Sequence, residues 1–189
     1  MSDAVRAFLA FEIPDRIKSD LTTSREIVRA ELPKARWVRP EGQHLTLKFL
    51  GEVPRSTLDR LAHDLAPRLG SVPRVTVELS GAGFFPSPRR PRVAWIGGRA
   101  DGAESVVAAI DEVAGVHGFD RERRRWSPHV TQARLNRPWP ADAVNRFLGW
   151  GRDLRLEAFE AREVVLFSSV LRPEGAVYTA VSYTHLTLP

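Results

Sequence analysis

Histidine is followed two positions later by threonine at three places in the chain: HLTL at His44, HVTQ at His129 and HLTL again at His185. A histidine side chain gives or takes a proton near neutral pH, because its unperturbed pKa is about 6.5. A threonine hydroxyl donates a hydrogen bond to an anionic oxygen. A single pair of this kind is ordinary in a β-strand, so the pairs carry weight only where they occupy equivalent points of a repeated structure.

Residues two apart on a strand share a face. His44 and Thr46 are therefore predicted to project together, as are His129 and Thr131. The same alternation predicts that Lys48 shares the face of His44 and Thr46, while the neighbouring Leu45, Leu47 and Phe49 point into the core. If the two strands meet, two imidazoles and two hydroxyls face one pocket.

This set of side chains suits phosphodiester hydrolysis. One histidine would take a proton from water and the other would give one to the leaving oxygen, each role being typically worth about 10²–10⁴ in rate. The hydroxyls would donate to the phosphate oxygens, where charge develops. The residues alone leave open which histidine is the acid. Carboxylates and histidines do not cluster at metal-ligand spacing, so we expect no metal and no cofactor.

Length and composition indicate one globular domain of 189 residues without cysteine. The formal charge is +5, and 25 of the 28 basic residues are arginine, which suits a polyanionic ligand but also follows from a GC-rich coding sequence. No apolar run approaches the roughly 20 residues that span a membrane, and a signal peptide is not apparent. We expect a cytoplasmic monomer that binds no membrane.

Apolar periodicity predicts a β-α-β-α-β unit that occurs twice, with one His-x-Thr pair in the middle strand of each copy. We therefore predict an α+β fold in a single domain over residues 1–180, with lobes at about 5–80 and 90–180. The Gly- and Pro-rich stretch 81–91 is predicted to be a loop. The predicted strands are 6–13, 43–51, 74–79, 91–98, 126–135, 154–159 and 163–171, and the predicted helices are 15–32, 54–69, 103–116 and 140–150.

The segments HLTLKFLG and SPHVTQAR resemble the two signature motifs of the two-histidine (2H) phosphoesterase superfamily, in its RNA 2′,3′-cyclic phosphodiesterase branch, also described as 2′-5′ RNA ligase. The resemblance extends over RAFLAFEIP, FFPSPRRPRVAWIGG and VVLFSSVLRPEGAVYT, which is nearly the whole chain. It implies a bilobal α+β fold with antiparallel sheets around a central cleft. It also implies metal-free opening of an RNA 2′,3′-cyclic phosphate to a 2′-phosphate.

By position, the resemblance makes His44 the proton donor and His129 the proton acceptor, with Thr46 and Thr131 binding the phosphate. Two further substrate contacts are candidates. Lys48 follows from strand alternation, whereas Arg134 matches a recurrent arginine of the family near the phosphate. Arg134 lies on the opposite face from His129 by alternation, so its inward placement requires a twist or bulge. Gln132 departs from the family, where an apolar residue is commoner, and we expect little effect of it.

Two alternatives stay open: a non-catalytic module that binds RNA ends or nucleotides, and a related phosphodiesterase acting on a small cyclic nucleotide or a 2′-5′ oligoadenylate. Ligation, the reverse reaction, is a further expected capacity. The third motif lies in VSYTHLTLP, which resembles translated sequencing-adapter sequence. We therefore expect residues 181–189 to be a non-native or disordered tail, and His185 to have no catalytic role.

Overall fold

The structure, a computed structural model, describes residues 3–172 and 175–187. It has nine strands, four α-helices and one short 3-10 helix in this part of the chain. In chain order the elements are β1 (Ala4–Glu12), α1 (Asp15–Arg29), β2 (Arg36–Trp37), the 3-10 helix (Pro40–Gly42), β3 (His44–Pro54), α2 (Arg55–Leu69), β4 (Val75–Ser87), β5 (Arg90–Asp101), α3 (Ala103–Val116), β6 (Val130–Arg134), α4 (Ala141–Asp153), β7 (Phe159–Ala161), β8 (Glu163–Arg172) and β9 (Gly175–His185).

The helices follow from the apolar spacing that predicts them. α1, α2 and α4 each begin directly after a proline, whose fixed φ suits the entry to a helix. α1 buries Ile17, Leu21 and Val28 on one face, and Arg25 lies buried on the same face. The predicted bounds of α3 are those observed.

The strands form two antiparallel sheets, and each sheet contains strands from both halves of the chain. The first sheet has the order β3-β1-β8-β9 and the second the order β2-β6-β5-β4-β7. In the first half of the chain β1 and β3 pair with each other, while β4 pairs with β5 of the second half. In the second half β5 and β6 pair, while β8 pairs with β1. The α+β fold with antiparallel sheets is confirmed, and the two halves are interwoven.

Because of this exchange, the predicted lobes at 5–80 and 90–180 are wrong as contiguous units: β4 belongs to the second sheet, and β8 with β9 belongs to the first. The predicted loop 81–91 is wrong as well. Those residues form the outer part of the long β4–β5 hairpin, and glycines lie at the first of its two register shifts, between Leu79 and Ala82. The predicted strand 154–159 is replaced by the three-residue β7.

The buried side chains form one large core and two smaller ones. The large core joins apolar residues of α1, α2 and α3 to strands of both sheets. A second cluster packs α4 against β4, β5 and β6, around Phe84 and Phe147. The third lies on the other face of the first sheet and contains Phe8, Ala10, Val165 and Phe167. That face is the one that carries His44, because Ala10 pairs with Thr46 in the ladder.

The predicted disorder of residues 181–189 is wrong for the described part of that segment. Residues 181–185 continue β9 and pair with β8. Leu186 is buried in the large core. The backbone of Thr187 donates to the carbonyl of Val72 and accepts from the amide of Arg74. Residues 188–189 lie outside the described chain.

Candidate active site

The two His-x-Thr motifs lie on β3 and at the start of β6, and each motif is followed by a β-bulge. In β3, Ala10 pairs with Thr46 and Leu9 with Lys48, so Leu47 is the extra residue. In β6, Trp95 pairs with Thr131 and Ala94 with Ala133, so Gln132 is the extra residue. The bulged residue is the fourth residue of the motif in both strands. A bulge of this kind reverses the alternation of the side chains that follow it.

The bulge in β3 corrects the prediction for Lys48. Its side chain is 4% exposed, and its Nζ donates to Asp111 Oδ1 of α3 at 2.7 Å and to the carbonyl of Asp120 at 2.7 Å. Lys48 therefore lies away from the face of His44 and holds no position for a substrate contact. Phe49, predicted to be in the core, is 58% exposed and lies beside Phe8 instead, at 5.9 Å between ring centroids.

The bulge in β6 changes the alternation of side chains after Gln132. It therefore allows Arg134 to lie on the same face as His129 and Thr131. Arg134 occupies the position in β6 that Phe49 occupies in β3, one residue after the paired Ala133. Its side chain is exposed, and its charge acts on the imidazole of His44. Gln132 is completely buried, so its side chain has the environment of the core even though it is polar.

His44 lies among aromatic rings of three neighbouring strands. Its ring stacks on Phe8 at 4.7 Å and meets Tyr178 edge-on at 5.0 Å, with Phe167 at 6.1 Å. Burial in this surrounding lowers the pKa of His44 to about 4, because the charged imidazolium loses hydration there. A hydrogen bond to the carbonyl of Gly42 opposes the effect, whereas the positive charges of His129, Lys18 and Arg134 add to it.

His129 is oriented by a backbone carbonyl in the same way. Its Nδ1 donates to the carbonyl of Ser127 at 2.9 Å, two residues earlier, just as His44 bonds the carbonyl of Gly42. In the neutral ring this bond fixes the proton on Nδ1 and leaves the lone pair of Nε2 free. Phe85 meets the ring edge-on at 5.0 Å and Trp95 at 6.3 Å.

The two motifs adjoin where the sheets meet. Trp126, three residues before His129, donates from its indole Nε1 to the carbonyl of Thr46 at 2.7 Å. The segment that leads into the second motif is thus bonded to the strand of the first. The charge of His129 lowers the pKa of His44, and an effect of this kind acts at short range in a partly buried site. The structure therefore brings the predicted His44, Thr46, His129 and Thr131 into one region.

A groove of about 670 Å³ borders this region on the side of His44. Phe167 and Tyr178 form one wall, and Lys18 of α1 lies on the other. His129 does not line this groove; it lies beyond His44, toward the second sheet.

The sequence-based prediction missed the aromatic lining of the site. Phe8 and Phe167 face each other across β1 and β8, and Phe85 occupies the corresponding place on β4, opposite Val93 of β5. Phe85 is 41% exposed. Strand alternation places Phe8 on the same face as Ala10, two residues later, and Ala10 pairs with Thr46. The sequence does not show which residue of β1 pairs with Thr46, so it does not place Phe8 beside the site.

The third motif does not join the site. His185 is the last residue of β9, on the opposite edge of the first sheet from β3, three strand spacings or roughly 14 Å away. Its Nδ1 lies 3.0 Å from Glu163. Within residues 3–172 and 175–187, no three His, Cys, Asp or Glu side chains come together at a distance that suits a metal ion. No helix in the same part of the chain is long and apolar enough to cross a membrane.

The fold and the paired motifs define a phosphoesterase of the two-histidine type. The model of the LigT-like phosphoesterase family matches residues 11–95, the part of the chain that runs from the end of β1 into β5 and includes β3 with the first motif. The protein belongs to this family, because relatives with 30% and 35% identity match it over 94% of its length.

Curated relatives cover nearly the whole chain. The RNA 2′,3′-cyclic phosphodiesterase of Methanocaldococcus jannaschii is 30% identical over 182 residues, which span 94% of this chain and 98% of the relative. The enzyme of the same name from Thermus thermophilus is 35% identical over 191 residues, or 94% of this chain and 88% of the relative.

Solved structures agree with these relatives. A protein from Thermus thermophilus superposes with a TM-score of 0.74 at 27% identity, over 96% of this chain and 97% of its own. Escherichia coli LigT in complex with 3′-AMP superposes with a TM-score of 0.72 at 26% identity, over 97% and 99%.

Proposed function

We propose that the protein is an RNA 2′,3′-cyclic phosphodiesterase, which opens the cyclic phosphate at an RNA end to a 2′-phosphate. The observation that carries the proposal is the junction of the two motifs. Two histidines, each held by a carbonyl two residues earlier, adjoin across the sheets with a threonine beside each. A binding module has no need of two oriented proton-transfer groups.

The roles of the side chains follow from the free ring atoms and the resemblance together. Nε2 of His129 takes a proton from water, and the water oxygen forms a bond to phosphorus. The bond from phosphorus to the 3′ oxygen breaks, and His44 gives a proton to that oxygen. The products are a 2′-phosphate and a free 3′-hydroxyl. Thr46 and Thr131 donate to the non-bridging oxygens, and the charge of Arg134 stabilises the developing anion.

The lowered pKa of His44 is consistent with a proton donor once substrate is bound. In the free protein its ring is neutral at pH 7, because the pKa is about 4. An anionic phosphodiester next to the ring favours the charged form and raises that pKa. The fraction of His44 that carries a proton therefore rises as the phosphate binds, and its imidazolium is an acid strong enough to release that proton to the leaving oxygen.

The groove beside His44 supports a nucleotide substrate. Its volume of about 670 Å³ lies within the range of pockets that hold small ligands, and its wall of Phe167 and Tyr178 presents faces on which a base stacks. Among the neighbours of known structure, LigT was solved with 3′-AMP. We propose that the protein acts as a monomer in the cytoplasm, and that 2′-5′ ligation is the reverse of the same reaction.

The test is incubation with an oligoribonucleotide that ends in a 2′,3′-cyclic phosphate, in the presence of EDTA. We expect turnover to a 2′-phosphate, identified by its resistance to 3′-phosphatase. Turnover to a 3′-phosphate, or no turnover with or without added divalent cations, contradicts the proposal. Comparison with 2′,3′-cyclic AMP separates an enzyme of RNA ends from one of small nucleotides, since the former prefers the oligonucleotide in kcat/KM.

A further inference from the structure

A buried arginine connects the two halves of the site from behind. Arg25 of α1 is 3% exposed, and its guanidinium lies over the ring of Trp37 at 5.4 Å. Burial lowers the pKa of Arg25, which remains far above neutrality for a guanidinium. A charge in such a position is costly unless its donors find acceptors. Its Nε has no acceptor among the described residues, so the bonds of its remaining nitrogens matter more.

Besides Glu26, whose Oε1 lies 3.6 Å from its Nη2, Arg25 has one acceptor next to each motif. Its Nη1 donates to the carbonyl of Val38 at 2.9 Å and to the side-chain Oε1 of Gln132 at 3.3 Å. Val38 lies six residues before His44, in the segment that leads into the first motif. Gln132 is the bulged residue directly after Thr131. The two residues are also bonded to each other through their backbones, because the amide of Val38 donates to the carbonyl of Gln132 at 2.8 Å.

The amide group of Gln132 extends this network to the catalytic strand. Its Nε2 donates to the carbonyl of Val130 at 3.3 Å and approaches the carbonyl of Thr131 at 3.5 Å. These are the peptide groups on either side of Thr131. The Gln132 side chain thus contacts backbone carbonyls on both sides of Thr131, next to the bulge. An apolar side chain fills the same space but bonds neither Arg25 nor these carbonyls.

We propose that Arg25 and Gln132 are a positioning pair, which fixes the bulge of β6 and thereby sets Thr131 and Arg134 relative to His44. The inference rests on the proposed function, because it concerns the geometry of that site. It differs from the expectation, drawn from the sequence, that the departure at Gln132 has little effect. Misplacement of about 1 Å costs on the order of 10² in rate, so a shift of the bulge is visible in kcat.

Two sets of variants separate the effect of Gln132 on the geometry of the site from its effect on the stability of the protein. Gln132→Glu keeps an acceptor for Arg25, so the protein stays folded, but it replaces the donor to the carbonyls of Val130 and Thr131 by an acceptor. We expect kcat to fall by about tenfold to a hundredfold, with KM changed less than about threefold, because the groove beside His44 is untouched. Glu112→Gln, at an exposed position of α3 outside that groove, is the control, and we expect its kcat to stay near wild type.

The second comparison removes the pair. Gln132→Leu alone leaves the buried guanidinium short of an acceptor, and we expect its melting temperature to fall by roughly 5 °C or more. Arg25→Met with Gln132→Leu replaces both partners by apolar side chains, and we expect the melting temperature to recover while kcat stays reduced.

The outcomes separate the two ideas. A wild-type protein without cyclic phosphodiesterase activity refutes the proposed function. An active wild type whose Gln132→Glu variant keeps its kcat, or whose double variant recovers kcat together with stability, refutes the positioning role.

Discussion

At the scale of the residue, both imidazoles of the site are oriented by a hydrogen bond to the carbonyl of the residue two positions earlier. His129 donates to the carbonyl of Ser127, and His44 bonds the carbonyl of Gly42. Each bond fixes the ring before substrate arrives, so no reorientation is needed during proton transfer. The sequence predicts the four side chains of the two motifs, because residue type and strand alternation are local properties. It does not predict that the ring of His44 is neutral, because this depends on Phe8 and Tyr178, which lie on strands distant in sequence.

The environment of His44 predicts an unusual titration. Its pKa of about 4 lies below the ordinary value near 6.5, so folding favours the neutral ring, and this contribution to stability is lost as the pH falls from about 6.5 toward 4. We expect the ring signals of His44 in NMR to stay those of a neutral imidazole from pH 7 to about pH 5. Inorganic phosphate should move the midpoint upward. A midpoint near 6.5 without phosphate contradicts the burial argument.

At the scale of the element, the bulges decide which side chains reach the site. Alternation alone predicts Lys48 on the face of His44, and it is wrong because Leu47 is an extra residue in the ladder. The same device brings Arg134 toward His44. A bulge is a property of two paired strands, and the partner strands β1 and β5 are distant in sequence, so neither bulge can be predicted from the motif itself.

The displaced Lys48 yields a prediction about stability. It forms a buried ion pair with Asp111 at 2.7 Å, which ties β3 to α3. Lys48→Met leaves the buried carboxylate with the exposed Arg121, whose Nε lies 3.7 Å away, and we expect a loss of about 3 kcal/mol in the free energy of unfolding. Lys48→Met with Asp111→Leu should recover much of that loss. Urea denaturation measures both, and a Lys48→Met protein as stable as wild type contradicts the buried pair.

At the scale of the whole molecule, the two repeated units exchange their third strands. β4 completes the sheet of the second unit and β8 that of the first, so neither unit has a complete sheet alone. The duplication can be predicted from the sequence, since periodicity marks each element. The exchange cannot, because β4 and β8 have apolar patterns that suit either sheet. The consequence for the site is that β3 and β6 adjoin without a flexible hinge between separate lobes.

The end of β9 gives a test at this scale. Leu186 is 5% exposed and packs into the large core. We expect Leu186→Ala to reduce the free energy of unfolding by about 2–4 kcal/mol. His185→Ala, at an exposed position next to it, should change stability by less than about 0.5 kcal/mol and leave turnover unchanged. Equal stabilities for the two variants would show that the segment is not docked in solution.

The central claim is that the histidines of two distant motifs act on one phosphate. The most direct measurement is kcat on a 2′,3′-cyclic phosphate end for His44→Gln and His129→Gln, with folding checked by circular dichroism. We predict that each change lowers kcat by about 10²–10⁴, while His185→Gln, in the third motif, has the wild-type rate. A folded His44→Gln or His129→Gln protein with a near-normal rate contradicts the account.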